Sequence, residues 1–316
     1  MTERIKVLYI AGSGRTGSTI LERILGQFEQ IGSYGELRFI WDRGYAGNWP
    51  CGCTKPFREC DFWQAVMAQT FDHQPIDIDA VLHLNQHVDR TRYVPQILGI
   101  RRTQQFKQDF EAYTALLQKL YAAIIDVSGK PIIVDASKFD SSGFILGQMP
   151  GIELHVLHLV RDSRAVAFSW QRRKMHRMSD GRERPQVRRT PVRAALEWLK
   201  LNALAEVMRW HSTSYQRLRY EDFIQNPSAS IAHILQQIDQ PTDELTRFLS
   251  PTGVTLQQQT HTVAGNPNRL DYGEIPLRLD DEWQRKLPPR AFALVTLLTL
   301  PGLLRYGYPL GRQPNG

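Results

Sequence analysis

Eight residues near the N-terminus, Gly12-Ser13-Gly14-Arg15-Thr16-Gly17-Ser18-Thr19, bring three glycines, four hydroxyls and one guanidinium together between two apolar-patterned stretches. Such a set suits an oxyanion. A glycine turn opening into a helix leaves backbone N–H groups unpaired and aims the positive end of the helix dipole at one point. Gly12 and Gly17 have the separation of the phosphate-loop pattern G-x-x-x-x-G-K-[ST], but Ser18 stands in the lysine position and the cation, Arg15, lies inside the loop. Gly14, Arg15, Thr16, Gly17, Ser18 and Thr19 are therefore the candidate anion ligands. An ordinary strand-to-helix turn is the plain alternative, but it would not need these extra donors.

Two further apolar runs end in chemically useful residues. Pro131 to Asp135 leads into Ala136-Ser137-Lys138, and Leu154 to Val160 leads into Arg161-Asp162, with Ser169 eight positions after Arg161. Arg161 can grip a phosphate dianion through its fork, and Ser169, two helical turns on, falls on the same face. A structural ion pair for Arg161 and a self-bonded helix hydroxyl for Ser169 are the competing explanations. Glu36 closes a short extended segment, Gln30 to Gly35, where a surface glutamate capping the next helix is the alternative role.

The elements that must hold these groups follow from periodicity. Continuous apolar residues at Val7–Ile10, Ile132–Val134 and Leu154–Val160 suggest buried parallel strands, and Ile20, Leu21, Ile24 and Leu25 carry a helical spacing. The expected class is α/β, a central parallel sheet flanked by helices, with ligands at the carboxyl ends of the strands. Helices are expected over Asp61–Thr70, Gln104–Ile125, Ser141–Gln148, Pro191–Trp210 and Trp283–Tyr308. A short strand is expected over Gln216–Tyr220. Ile76 to Arg102 is weakly patterned, Gly44 to Pro56 reads as a surface excursion, and Gly253 to Leu270, with His261, Asn266 and Arg269, reads as a loop.

The 316 residues suffice for one large α/β domain, expected to span the chain with an excursion around 44–103 and a basic flap around 171–194. Between Gln171 and Ala194 nine Lys/Arg face two acids, a local excess of +7 that equals that of the whole chain. The rest is neutral, which argues against a general nucleic-acid binder. MTERIK runs directly into a strand without a leader-type segment, and no apolar run spans a bilayer, which points to a cytoplasmic protein. Cys51, Cys53 and Cys60 fall within CGCTKPFREC. A reduced structural loop is the first reading and a regulatory disulfide the second. A zinc knot ranks third, since its nearest fourth ligand, His73, has an unusual spacing.

These motifs together resemble the sulfotransferase family that uses 3'-phosphoadenosine-5'-phosphosulfate (PAPS). SGRTGST resembles its 5'-phosphosulfate loop, VRDSRAVAFSW its 3'-phosphate motif and LRYEDF the segment whose tyrosine, here Tyr220, lies at the adenine. GELRFIW and CGCTKPFRECDFW are similar to segments of bacterial members, and HTVAGNPNR to their nucleotide loop. The resemblance implies a P-loop-like sulfotransferase fold, PAPS as donor with 3'-phosphoadenosine 5'-phosphate (PAP) as product, no required metal, and a small-molecule, glycan or peptide hydroxyl acceptor. It further implies Arg15 and Lys138 at the transferred sulfate, Arg161, Ser169, Arg269 and Asn266 at the nucleotide, and Glu36 as base, with His261 as an alternative base. A phosphate-loop kinase with Asp135 holding magnesium is the runner-up, and a nucleic-acid module using the Arg-rich segment the third possibility.

Overall fold

In the computed structural model, residues 4–178, 181–250, 252–257 and 259–312 are described; Asp180, counted above in the basic segment, lies outside them. Among them nine strands form: β1 (Ile5–Ala11), β2 (Ile31–Ser33), β3 (Ile132–Asp135), β4 (Ile152–Val160), β5 (Met175–Arg177), β6 (Glu183–Pro185), β7 (Ser214–Arg219), β8 (Gly253–Leu256) and β9 (Gly273–Pro276). The order β2-β3-β1-β4-β7 makes one five-stranded sheet in which every pairing is parallel.

Strand β1 is central because both of its faces are apolar. Val7, Tyr9 and Ala11 enter one core with Trp63, Phe110 and Ile124, while Leu8 and Ile10 enter a second core with Leu21, Ile24 and Ile234. Alternation sends successive residues to opposite faces, so a strand covered on both sides reads as an unbroken apolar run. The first core is capped by helices Asp61–Thr70 and Gln104–Ser128, the second by Ser18–Leu25 and Pro227–Gln237.

The structure departs from the sequence expectation in several places. Ile76 to Arg102 contains helices Ile78–Val88 and Val94–Ile97, whose many exposed positions blunt the apolar pattern. Gly253 to Leu270 is no plain loop, because β8 pairs antiparallel with β9 and Pro267–Leu270 forms a 3-10 turn. Tyr220 is not a strand residue and opens the helix Tyr220–Gln225. The helix Pro289–Arg305 runs on through Pro301, and among the described residues no helix is long and apolar enough to cross a membrane. The basic segment forms the hairpin β5–β6.

Candidate functional site

The segments that follow β1, β2, β3 and β4 open together onto a cavity of about 840 Å³. Its wall carries eleven Lys/Arg against five Asp/Glu, so the chain's charge excess is concentrated there. Arg172, Lys174, Arg184 and Arg189 bring the basic segment into this wall, whereas Arg173 is exposed and does not line it. The positive field has consequences for titration. His176 is pushed down to about 4 by burial, then by Arg43, Arg269 and Arg15, and Lys174 is lowered by burial and by Arg15 and Arg172.

The glycine loop is shaped by close approach. Gly12 has φ 117 and a Cβ there would lie 2.5 Å from the Leu159 carbonyl oxygen, while Gly17 has φ 84 and would drive a Cβ to 2.7 Å from the Tyr220 ring. Helix Ser18–Leu25 starts at Gly17 with no side-chain cap, so its first N–H groups have no capping side chain. Gly14, Arg15, Gly17, Ser18 and Thr19 line the cavity. Thr16 does not; it is buried and donates from Oγ1 to the Ser13 carbonyl at 3.1 Å, which braces the turn.

Arg15 and Lys138, the two candidate catalytic cations, both hold left-handed backbones, with φ 71 and φ 63. Such conformations cost about 1–3 kcal/mol for a non-glycine residue and persist only where the surroundings impose them. Burial lowers the Arg15 guanidinium to about 10, against the pull of Glu36, so it remains a cation at neutral pH. Its Cζ lies 4.4 Å from the Trp170 ring centroid and its Nε is buried without a partner. Lys138 Nζ donates to Glu36 Oε1 at 2.8 Å and to the Ala136 carbonyl at 2.5 Å. Glu36 is positioned for a cap but makes none; its N–H donates to the Val263 carbonyl at 2.8 Å, and Arg43 Nη1 stands 4.0 Å from Oε2.

Arg161 and Ser169 both line the cavity. Arg161 donates to the Arg15 carbonyl at 3.1 Å and lies 4.4 Å from the Tyr220 ring centroid, with its Nε buried and unpartnered. Tyr220 thus contacts both Gly17 and Arg161, tying the loop to the end of β4. Sequence reasoning missed Asp280, whose Oδ2 is 3.2 Å from Arg161 Nη2 and whose Oδ1 is 3.4 Å from Arg172 Nη2. It also passed over Trp170, which contacts Arg15 and Arg189; its only signal was its place directly after Ser169.

Several expected roles do not match the geometry. Asn266 lines the cavity, but Arg269 does not: its guanidinium is buried and donates to the carbonyls of Thr262 and Pro50. Asp135 is buried and accepts from Tyr121 Oη at 2.7 Å and from Ser137 N at 2.9 Å, so the proposed magnesium ligand is already used inside the fold. His261 does not line the cavity as a base would; its Nδ1 lies 3.2 Å from Cys60 Sγ and 3.7 Å from Cys51 Sγ. His73 is exposed at the end of helix Asp61–Thr70 and is not grouped with the cysteines. From the excursion around 44–103, Gly47, Trp49 and Thr91 reach the cavity.

Beneath the loop, Glu22 is fully enclosed and its carboxyl is pushed up to about 8 by burial, reinforced by Glu36 and Asp135 and opposed by Lys138. Because the folded value exceeds the ordinary 4.5, its contribution to stability is complete below that pH and is lost as pH rises toward about 8. Glu22→Gln should therefore leave the Tm nearly unchanged at about pH 5 and raise it above wild type at about pH 9, as measured by calorimetry.

Comparisons with known proteins agree with this architecture. No curated protein matches the chain. The sulfotransferase domain from the Synechococcus PCC 7002 olefin synthase superposes with a TM-score of 0.54 at 19% identity, covering 98% of this chain and 97% of that one. The sulfotransferase domain from the curacin biosynthetic pathway gives 0.53 at 16% identity, with 98% and 99% covered. At these identities the likeness establishes the fold, a parallel sheet of the P-loop-like sulfotransferase type. The sequence model of the Sulfotransferase family matches residues 8–244, three quarters of the chain, and the protein therefore belongs to the sulfotransferase family.

Proposed function

We propose that the cavity binds PAPS and that the protein transfers its sulfuryl group to a hydroxyl acceptor. The observation that carries this reading is the joint lining of one strongly cationic cavity by the uncapped glycine loop, Arg161, Ser169 and the Glu36–Lys138 pair at 2.8 Å. The buried, unpartnered Nε atoms of Arg15 and Arg161 fit the same ligand, since each is an N–H left without an acceptor. PAPS would supply an activated sulfuryl group on a phosphate leaving group. The loop N–H groups with Ser18 and Thr19 would hold its 5' end, and Arg161 and Ser169 its 3'-phosphate.

The residues then divide the work. Arg15 and Lys138 are fixed cations whose backbones are already constrained, so they stabilise developing charge with little reorganisation. Glu36 accepts the proton of the acceptor hydroxyl at Oε2, while Lys138 holds Oε1. Phe39 and Trp49, both against Arg43 next to Glu36, favour an acceptor with an apolar or ring-bearing body.

Incubation with sulfur-labelled PAPS and a panel of phenols, sugars and tyrosyl peptides tests the reading. Label should move to at least one acceptor without added magnesium; transfer from ATP under the same conditions, with none from PAPS, would reverse it. Asp280 supplies a second check, because it neutralises Arg161 and Arg172 before any ligand arrives. Partly exposed ion pairs are each worth about 0.2–1 kcal/mol, so losing both in Asp280→Asn should tighten PAP by about 2- to 30-fold in a calorimetric titration. Weaker binding would instead make Asp280 a brace for the two arginines.

A further inference from the structure

Cys51, Cys53, Cys60 and His261 present ligand atoms that all lie within 4.8 Å of one another, although His261 is 201 residues beyond Cys60. Cys53 Sγ and Cys60 Sγ are 3.6 Å apart, and His261 Nδ1 is 3.7 Å from Cys51 Sγ and 3.2 Å from Cys60 Sγ. A tetrahedral zinc with ordinary Zn–S and Zn–N bonds separates its ligands by about 3.8 Å between sulfurs and about 3.6 Å between sulfur and nitrogen. Three of the six separations therefore lie near the edges of that tetrahedron, and the others stay within 4.8 Å. From these distances we infer that the protein carries a structural zinc ion bound by the three thiolates and by His261 Nδ1.

The surroundings are those of a metal knot. Cys51 and Cys60 are fully buried, and all three thiols are free of disulfides. His261 is held in turn, its ring stacked on Phe62 with centroids 4.5 Å apart and its carbonyl accepting from Trp63 Nε1 at 3.0 Å. Only glycine fits at position 52, where a Cβ would lie 2.4 Å from the Thr260 carbonyl oxygen.

Charge supports the same assignment. Three thiolates around one divalent cation leave a net charge of −1, and the buried Arg269 guanidinium lies close by, donating to the carbonyls of Thr262, next to His261, and of Pro50, next to Cys51. Thiolate-rich tetrahedral sets of this type select zinc, and four protein ligands leave no open position for catalysis. None of the four residues lines the donor cavity. The ion would pin the cysteine loop to Thr260–Val263, whose Val263 carbonyl accepts from Glu36 N and whose chain continues to the cavity residue Asn266.

The test is made on the untagged full-length chain, purified without added metal or chelator. Elemental analysis should find about one zinc per chain that survives dialysis against EDTA and is released when the thiols are titrated with an organomercurial. Replacement by Co(II) should give a thiolate-to-cobalt charge-transfer band and d–d bands of tetrahedral intensity. His261→Ala should lose or alter these bands, and His73→Ala should leave them and the zinc content unchanged. Substoichiometric zinc with three freely alkylated thiols in the native protein would overturn the assignment, as would an intact mass two daltons low from a disulfide. These readouts concern metal content alone, so they stand or fall separately from the identity of the sulfuryl donor.

Discussion

Replacing Glu36 with glutamine lowers kcat by about 10²- to 10⁴-fold, the usual worth of a positioned general base, and leaves PAP affinity nearly unchanged. The expectation rests on geometry. Glu36 lines the cavity, caps no helix, and is oriented from both ends, by the Val263 carbonyl at its N–H and by Lys138 at Oε1. The glutamine side chain keeps the size and can still accept from Lys138, but it cannot take up the acceptor's proton. Pre-steady-state kinetics would separate the two terms: binding of the donor should be normal and the burst of sulfated product absent. A variant that turns over normally would remove Glu36 from the mechanism.

Loss of the Lys138 ammonium should have an effect of comparable size, about 10²- to 10³-fold in kcat, because the proposed mechanism uses this preorganised charge at the reacting group. The left-handed φ of 63 at this position allows a clean control. Lys138→Gly removes the ammonium and relieves the backbone constraint, so its Tm should equal or exceed that of wild type, whereas Lys138→Met removes the ammonium and keeps the constraint. Equal losses of activity in the two variants would assign the effect to the charge. Since Lys138 and Glu36 are in direct contact at 2.8 Å, the double variant Glu36→Gln/Lys138→Gly should lose much less than the product of the single losses. Full additivity would show that the pair does not act as a unit.

What the sequence revealed, and what it hid, follows from how each contact is encoded. The glycine loop, the strand ends at Asp135 and Val160, and the placement of Glu36 are local patterns, legible because a strand, a turn and a helix lie within a few residues of one another. Arg161 and Ser169 share a short stretch, but Arg161 directly follows β4 and lies before the helix Ser163–Gln171, so the strand-to-helix turn, and not helical spacing, brings both to the cavity. Asp280 sits far from the arginines that it neutralises, in a segment without periodicity, and no local rule points to it. Arg269 has the charge expected of a phosphate ligand, but whether a guanidinium faces a cavity or two carbonyls is decided by tertiary packing. The metal-ligand cluster was hidden for the same reason: proximity in sequence favoured His73, while the fold delivers His261 to Cys60. Asp135 shows the converse error, since a carboxylate at a strand end resembles a magnesium ligand until Tyr121 and Ser137 are seen to occupy it.

In the proposed function one cavity reads both ends of a 3'-phosphorylated adenine nucleotide, and calorimetric titration of PAP against AMP puts this to the test. The two ligands differ only in the 3'-phosphate assigned to Arg161 and Ser169. Hydrogen bonds to charged groups are worth about 1.5–3 kcal/mol, so AMP should bind about 10- to 150-fold more weakly than PAP, and Arg161→Met should erase most of that difference. Equal affinity for PAP and AMP, or no binding of PAP, would show that the cavity does not read a 3'-phosphate.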